Sequence, residues 1–389
     1  MIVYAVATAI ACLFAWYAPR CEKRALRWSC MALSALPLFL VAAARWGVGT
    51  DVNFLYLPQF TAVEWHYSGE GRETAWDLYR PFYRAKMWFW KAGSPLYAAQ
   101  VFWRKFNYEE PGYRWLVTLI VNCGGGFRWF LAITSGITSA LVFTSIWRQS
   151  RYPALAIFFF VTTSNYFVSL NIVRQYIAVA LVLLAVEFAV NRRYFSFLVA
   201  IACGALFHRT AMLGVLVLPL AFLKPALNPL WGFAAVGAAY LASFVVVPFF
   251  RAVLPIIGCG IYLKYFGSKF SRDGFETIFF LINLCFMCLG AWYLRRAAKG
   301  NRFVVCWYWM TVVGTMFLAL SGVVPLMKRV NYLFAAPQFL MLPELIAAEE
   351  NRRLRWALGI LIVIGFAAET YVAVCVLNKN EPLPYRIAP

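Results

Sequence analysis

Apolar runs follow one another along this chain, separated by short polar punctuation, and most are as long as a membrane-crossing helix. They fall at 2–18, 29–44, 128–147, 153–169, 174–190, 195–207, 210–223, 229–249, 275–294, 303–320, 332–346 and 356–377. About 17 to 25 apolar residues in a helix cross roughly 30 Å of hydrocarbon. The pattern therefore predicts an all-α, polytopic membrane helical bundle of about twelve transmembrane helices, spanning residues 1–389 as a single integral membrane domain. The segment 45–127 breaks the rhythm and reads as a long outer loop carrying interfacial helices, one of them over Pro111 to Val121. The first run, Ile2 to Tyr17, has no small-residue cleavage site after a basic start and reads as a retained first helix.

Composition agrees with the pattern. Hydrophobic residues make up 63% of the chain and the mean hydropathy is +0.69, far above the roughly 45 to 50% apolar share of soluble domains. No repeat, low-complexity tract or linker separates a soluble domain. No GxxxxGK[ST] loop or dinucleotide fingerprint occurs, which argues against direct ATP hydrolysis. Gly124-Gly125-Gly126 is too short for a nucleotide loop and reads as a turn.

The net charge of +20 mixes basic residues that set topology with any that bind ligands. Alternate connections carry Arg20, Lys23, Arg24 and Arg27; Arg148 and Arg151; Arg192 and Arg193; Lys224; Arg295, Arg296, Lys299 and Arg302; and Arg352, Arg353 and Arg355. The positive-inside rule makes those loops cytoplasmic. Both termini, the segment 45–127 and the turns around Asn171, His208, Tyr265 and Lys328 then face outward. The outer segment is rich in aromatics, including Trp65, Tyr67, Trp76, Tyr79, Trp88 and Trp90, residues that favour the membrane interface and also offer faces to a ligand.

Three basic or polar interruptions sit in apolar surroundings on that outer side: Arg45 to Asp51, Asn171 to Gln175, and His208 to Thr210. Topogenic bias does not account for basic residues there. Arg174 is the sharpest case, because a guanidinium beside hydrocarbon costs several kcal/mol unless it meets a partner, water or an anion. A snorkelling side chain or a pair with a carboxylate such as Glu110 would also satisfy it.

Cysteines do not point to a disulfide framework. Seven of the ten, Cys12, Cys30, Cys203, Cys285, Cys288, Cys306 and Cys375, fall within predicted spans, where they act as small apolar residues. Cys123 and Cys259 are the pair expected near the outer interface, and sequence alone does not bond them. Cys285 and Cys288 have CxxC spacing but lack a neighbouring His or second CxxC, so no metal site is expected.

The order of RWGVGTD at 45–51, YEEPGYRWL at 108–116, NIVRQYIAVAL at 171–181, LFHRTAMLGVLVLPL at 206–220 and PYR at 384–386 resembles the EpsG family of Wzy-like bacterial polysaccharide and O-antigen polymerases. Val52 stands where an aromatic often follows the aspartate, and the segment from Thr61 to Trp103 is longer than usual. The resemblance implies a glycosyltransferase with a GT-C-like fold. It would join undecaprenyl diphosphate-linked oligosaccharides on the outer face of the bacterial cytoplasmic membrane, in exopolysaccharide, capsule or O-antigen assembly. It implies a flippase and a chain-length regulator as partners, and no nucleic acid or cofactor.

That reaction needs cations around a diphosphate leaving group and a base for the acceptor hydroxyl. Arginine forks bind phosphate oxygens bidentately and stay charged. Arg174, Arg45, Arg209 and Arg329 are the candidates, with Asn171 and Gln175 as a polar lip beside Arg174. Arg45 and Arg329 also fit interfacial anchors. Asp51, Glu109, Glu110 and His208 are the candidate bases. Asp51 equally fits a salt bridge to Arg45, the two glutamates fit a helix dipole ahead of Pro111, and His208 fits a buried hydrogen-bonded imidazole. His66 is expected to be a bystander. A lipid-linked oligosaccharide flippase or transporter and an O-antigen ligase-like glycosyltransferase are the rival readings. A transporter would carry polar residues on both sides and through the midplane, and a ligase would differ in its acceptor.

Overall fold

The computed structural model describes residues 1–68, 95–256, 263, 275–324 and 326–387. Helices α1 (Ile2–Tyr17) and α2 (Arg24–Ala44) form a hairpin, and α2 leads through strand β1 (Arg45–Trp46) to a π-helical turn at Val52–Tyr56 and helix α3 (Leu57–Ser68). Then come α4 (Pro95–Asn107), α5 (Pro111–Asn122), α6 (Phe127–Gln149), α7 (Pro153–Thr162), α8 (Asn165–Asn171), α9 (Val173–Val190) and α10 (Tyr194–Phe207). Proline opens α4, α5 and α7, where its missing N–H costs no hydrogen bond.

A 3-10 helix at Arg209–Leu216 runs into α11 (Val217–Ala221), followed by α12 (Leu230–Ala242) and α13 (Val246–Ile256). The rest comprises α14 (Thr277–Gly300), α15 (Phe303–Ala319), α16 (Met327–Ala335), α17 (Gln338–Ala347), α18 (Arg352–Tyr371) and strand β2 (Arg386–Ile387). Strand β2 pairs antiparallel with β1, Arg45 opposite Ile387, and so returns the C-terminal segment to the end of α2.

The expected all-helical membrane bundle is present, with six to nine candidate spans among the described residues. Among the described residues six helices are long and apolar enough to cross a membrane, or up to nine if each bent pair is one span. The bent pairs are α7 with α8 at 57°, α12 with α13 at 77°, and α16 with α17 at 45°. Ser164 in the left-handed region (φ 62) interrupts the first and Pro337 the third. The remaining three apolar segments form helices of 10–17 residues, shorter than a bilayer's hydrocarbon at about 1.5 Å per residue. Large apolar side chains stay exposed on α1, α14 and α18, among them Leu13, Leu281, Trp292, Leu361 and Ile364. With the run of long apolar helices, they make this a multi-pass membrane protein.

Helix α9 is apolar around almost its whole circumference, which fits its place between α6 and α10. Ala178, Val179, Ala180, Val182 and Leu183 are all buried there within the main core. A second apolar cluster, with Tyr56, Phe60, Phe106, Tyr113, Leu116 and Phe130, packs α3, α4 and α5 against the N-terminal end of α9 at Val173.

The two ends of α9 are polar, about 20 Å apart for thirteen residues of helix. At the C-terminal end Glu187 lies within 3.4 Å of Arg148 and 3.8 Å of Arg193. In the same layer Glu344, fully buried, takes Arg151 at 2.7 Å and Asn301 at 2.9 Å. These come from the loops that charge alternation assigned to one side. Of the turns assigned to the other side, those around Asn171, His208 and Lys328 gather at the N-terminal end, and the one around Tyr265 lies outside the described residues.

Candidate functional site

Arg174 occupies the first turn of α9, and Glu109 and Glu110 precede α5. Its Nη1 donates to the Glu110 Oε2 at 2.6 Å and also to Glu109. The guanidinium lies 4.8 Å from the ring centroid of Tyr113 and 5.7 Å from that of Tyr56, which adds cation–π attraction. Gln59 braces this group: its Nε2 donates to Glu109 at 2.8 Å and its oxygen accepts from the Tyr113 hydroxyl at 3.0 Å. Glu110 also accepts from the Arg209 backbone N–H at 3.3 Å. Helix α5 approaches α10 closely because Gly112 has no Cβ; one would stand 2.8 Å from the Leu206 carbonyl. The Arg174 Nε is buried without a hydrogen-bond partner.

Asp51 joins from the loop after β1. Its backbone N–H donates to Asn171 Oδ1 at 2.7 Å, and Asn171 Nδ2 donates to Asn380 Oδ1 at 3.0 Å. The Asp51 carboxylate pairs with Arg329 at 3.5 Å rather than with Arg45, and Gln175 Nε2 donates to the Arg329 carbonyl at 2.6 Å. Gly49 makes this loop possible: its φ is +100° and a Cβ would stand 2.8 Å from the Leu170 carbonyl. Burial raises the Asp51 pKa, and Arg329 and then Arg174 oppose the rise.

His208 caps the following 3-10 helix, its Nδ1 accepting from the Thr210 N–H at 3.3 Å and lying 2.8 Å from the Thr210 hydroxyl. Burial, helped by Arg174, Arg329 and Arg209, pushes its pKa down to about 3. The imidazole is therefore neutral at physiological pH and a weak proton acceptor. The Arg209 side chain is exposed and makes no ion pair among the described residues.

Arg45 stands apart. It is 1% exposed, and its guanidinium donates to Ser135 Oγ at 2.8 Å, to the Leu170 carbonyl at 3.3 Å and to the Ala42 carbonyl. It ties the end of α2 to α6 and α8. Nine of the ten residues singled out from sequence, Asp51, Glu109, Glu110, Asn171, Arg174, Gln175, His208, Arg209 and Arg329, gather at the N-terminal end of α9; Arg45 does not join them.

Sequence reasoning missed Tyr56, Gln59, Tyr113 and Asn380. Gln59 and the two tyrosines belong to patterns indistinguishable from core-facing helix positions. Asn380 had a signal in the Asn-Lys-Asn-Glu run at 378–381, a turn-forming composition. Cys259 and the aromatic residues Trp76 to Trp90 lie outside the described residues. His66 stacks on Trp103 at 3.8 Å between centroids.

Three cations, Arg174, Arg209 and Arg329, face three carboxylates, Glu109, Glu110 and Asp51. Two of the cations are already paired, so the group offers an anion chiefly the exposed Arg209 and the 42%-exposed side chain of Arg329. Glu109 and Glu110 supply carboxylate oxygens held in place by neighbours. Among the described residues no three His, Cys, Asp or Glu side chains are grouped as metal ligands would be.

The model of the EpsG family matches residues 28–387, nearly the whole chain. No curated protein and no solved structure matches.

Proposed function

The chain belongs to the EpsG family, whose members are related to Wzy-like polysaccharide polymerases, and on that premise we propose that it polymerises lipid-linked glycan repeat units. The substrates would be undecaprenyl diphosphate-linked oligosaccharides, met on the outer face of the bacterial cytoplasmic membrane. The acceptor hydroxyl oxygen forms a bond to the anomeric carbon of the donor glycan. The bond from that carbon to the diphosphate oxygen breaks, and its electron pair leaves on the lipid diphosphate.

Two jobs follow for the chain's own residues. The acceptor proton goes to a carboxylate, and Glu110 is the best placed, with Arg174 fixing its orientation and Gln59 fixing Glu109 beside it. Arg209 and Arg329 neutralise the charge that develops on the diphosphate, needing no metal ion for that role. Arg174 thereby changes from a phosphate ligand to the group that holds the glutamates.

One observation carries the reading: Glu110, Arg174 and Arg209, far apart in sequence, meet through a 2.6 Å and a 3.3 Å contact at one end of α9, within a chain matched to the family almost throughout. The test is direct. Purified protein incubated with lipid-linked repeat units, without nucleotide or added metal, should yield a ladder of longer glycans. A single unextended band with the cognate substrate rejects the proposal.

A further inference from the structure

Two stretches distant in sequence converge on the ring of Phe279 in α14. Lys328 Nζ, at the start of α16, stands 4.1 Å from its centroid, and Lys379 Nζ, from the C-terminal segment, stands 5.7 Å from it. Two ammonium groups beside one ring repel each other, and the ring's negative face offsets only part of that. Lys328 has Glu276 at 3.2 Å; Lys379 makes no ion pair among the described residues. Arg329, next to Lys328, adds a third cation whose side chain is 42% exposed.

This arrangement is built rather than incidental. Leu326, just before α16, and Asn378, Asn380 and Glu381, around Lys379, all have positive φ, a backbone region that non-glycine residues rarely enter. The Lys379 N–H donates to the Ala373 carbonyl at 2.8 Å, and the Asn378 side chain bonds both the N–H and the carbonyl of Leu383, at 3.1 and 2.8 Å. The C-terminal segment is thus folded so as to hold Lys379 against Phe279. Through Arg329 the cluster is linked to the candidate site by Asp51 and Gln175, one step further along the network than Glu110 and Arg174.

We propose that Lys328 and Lys379 form a second diphosphate subsite, which holds the diphosphate of the acceptor. The proposal rests on the polymerase reading, in which both substrates carry a lipid diphosphate but only the donor loses it. The acceptor's diphosphate stays bonded to its glycan, so its subsite requires cations that hold and no group that assists departure. Flexible ammonium groups with three donors each suit that task. Arg209 then serves the leaving diphosphate, and Arg329 lies between the two.

Farnesyl diphosphate, a soluble prenyl diphosphate, is the probe. Titrated calorimetrically into the full-length protein in phosphatidylcholine nanodiscs, it should bind in two equivalents. Lys379→Gln and Lys328→Gln should each weaken one of them at least tenfold, Lys379→Arg should keep both, and Arg209→Gln should weaken the other. Two undiminished equivalents in both lysine variants overturn the subsite. Loss of the second equivalent from wild-type protein in phosphatidylglycerol nanodiscs would identify bulk anionic headgroups as the occupant and overturn the acceptor assignment. A glycan ladder with only one equivalent bound rejects this inference alone, whereas two equivalents without a ladder reject the polymerase reading and leave the anion subsite standing.

Discussion

Arg174 and Glu110 lie 64 residues apart in the chain and 2.6 Å apart in space. The contact joins the first turn of a central helix to the start of a helix in the 45–127 segment, and it places a charge pair where both partners are largely buried. A guanidinium that looked costly beside hydrocarbon is compensated by two carboxylates and two aromatic rings. Its removal would therefore strand the carboxylates.

Replacing Arg174 with Ala should destabilise the protein by about 3 to 5 kcal/mol, because Glu109 and Glu110 would remain buried without their partner. Adding Glu110→Gln to that variant should restore part of the loss. Thermal unfolding in detergent, read as a double-mutant cycle, checks the coupling. Strictly additive effects would show that the pair contributes nothing.

Glu110→Gln alone should abolish chain extension while the protein still binds lipid diphosphate. Arg174→Lys should keep the charge but lose the fork, lowering the turnover number more than it raises KM. Initial rates of ladder formation against substrate concentration separate the two. Wild-type rates in Glu110→Gln would remove the carboxylate from the chemistry.

Gly49→Ala should cost about 1 to 3 kcal/mol, since its left-handed backbone and the nearby Leu170 carbonyl leave no place for a methyl group. Because Gly49 sets the path of the loop carrying Asp51, activity should fall along with the melting temperature. An unchanged Tm would mean the loop has another route past α8.

Two groups have opposite pH signatures. The His208 pKa is depressed from 6.5 to about 3, so its contribution to stability is present above pH 6.5 and is lost as the pH falls toward 3. The Asp51 pKa is raised above 3.8, so its contribution is present below that value and is lost as the pH rises through the folded-state value. Melting temperatures from pH 7 to pH 4 should fall less steeply in His208→Asn than in the wild type. Asp51→Asn should remove an acid limb of activity lying above the usual aspartate range. Parallel curves for wild type and His208→Asn would contradict the burial argument.

The opposite end of α9 provides a control. Arg151→Ala leaves the fully buried Glu344 with Asn301 and without its charged partner, which should cost roughly 3 kcal/mol. Turnover per folded molecule should stay unchanged, and reporter fusions at Arg24 and at His208 should report opposite compartments. A selective loss of turnover in Arg151→Ala would mean the two ends are coupled.

Apolar run length and loop charge are local properties, and they determine on their own that this is an all-α membrane protein and which connections share an end. The quoted family phrases likewise mark the residues from Asp51 to Arg209 as a set. Run length did not reveal where helices break, because Ser164 and Pro337 interrupt apolar runs without making them polar. The tertiary structure alone decides partners, since a charge's environment depends on which distant segment packs against it. Arg174 meets glutamates because α5 docks on the start of α9, Asp51 meets Arg329 and not Arg45, and Asn380 and Lys379 reach the site only because β2 returns to β1.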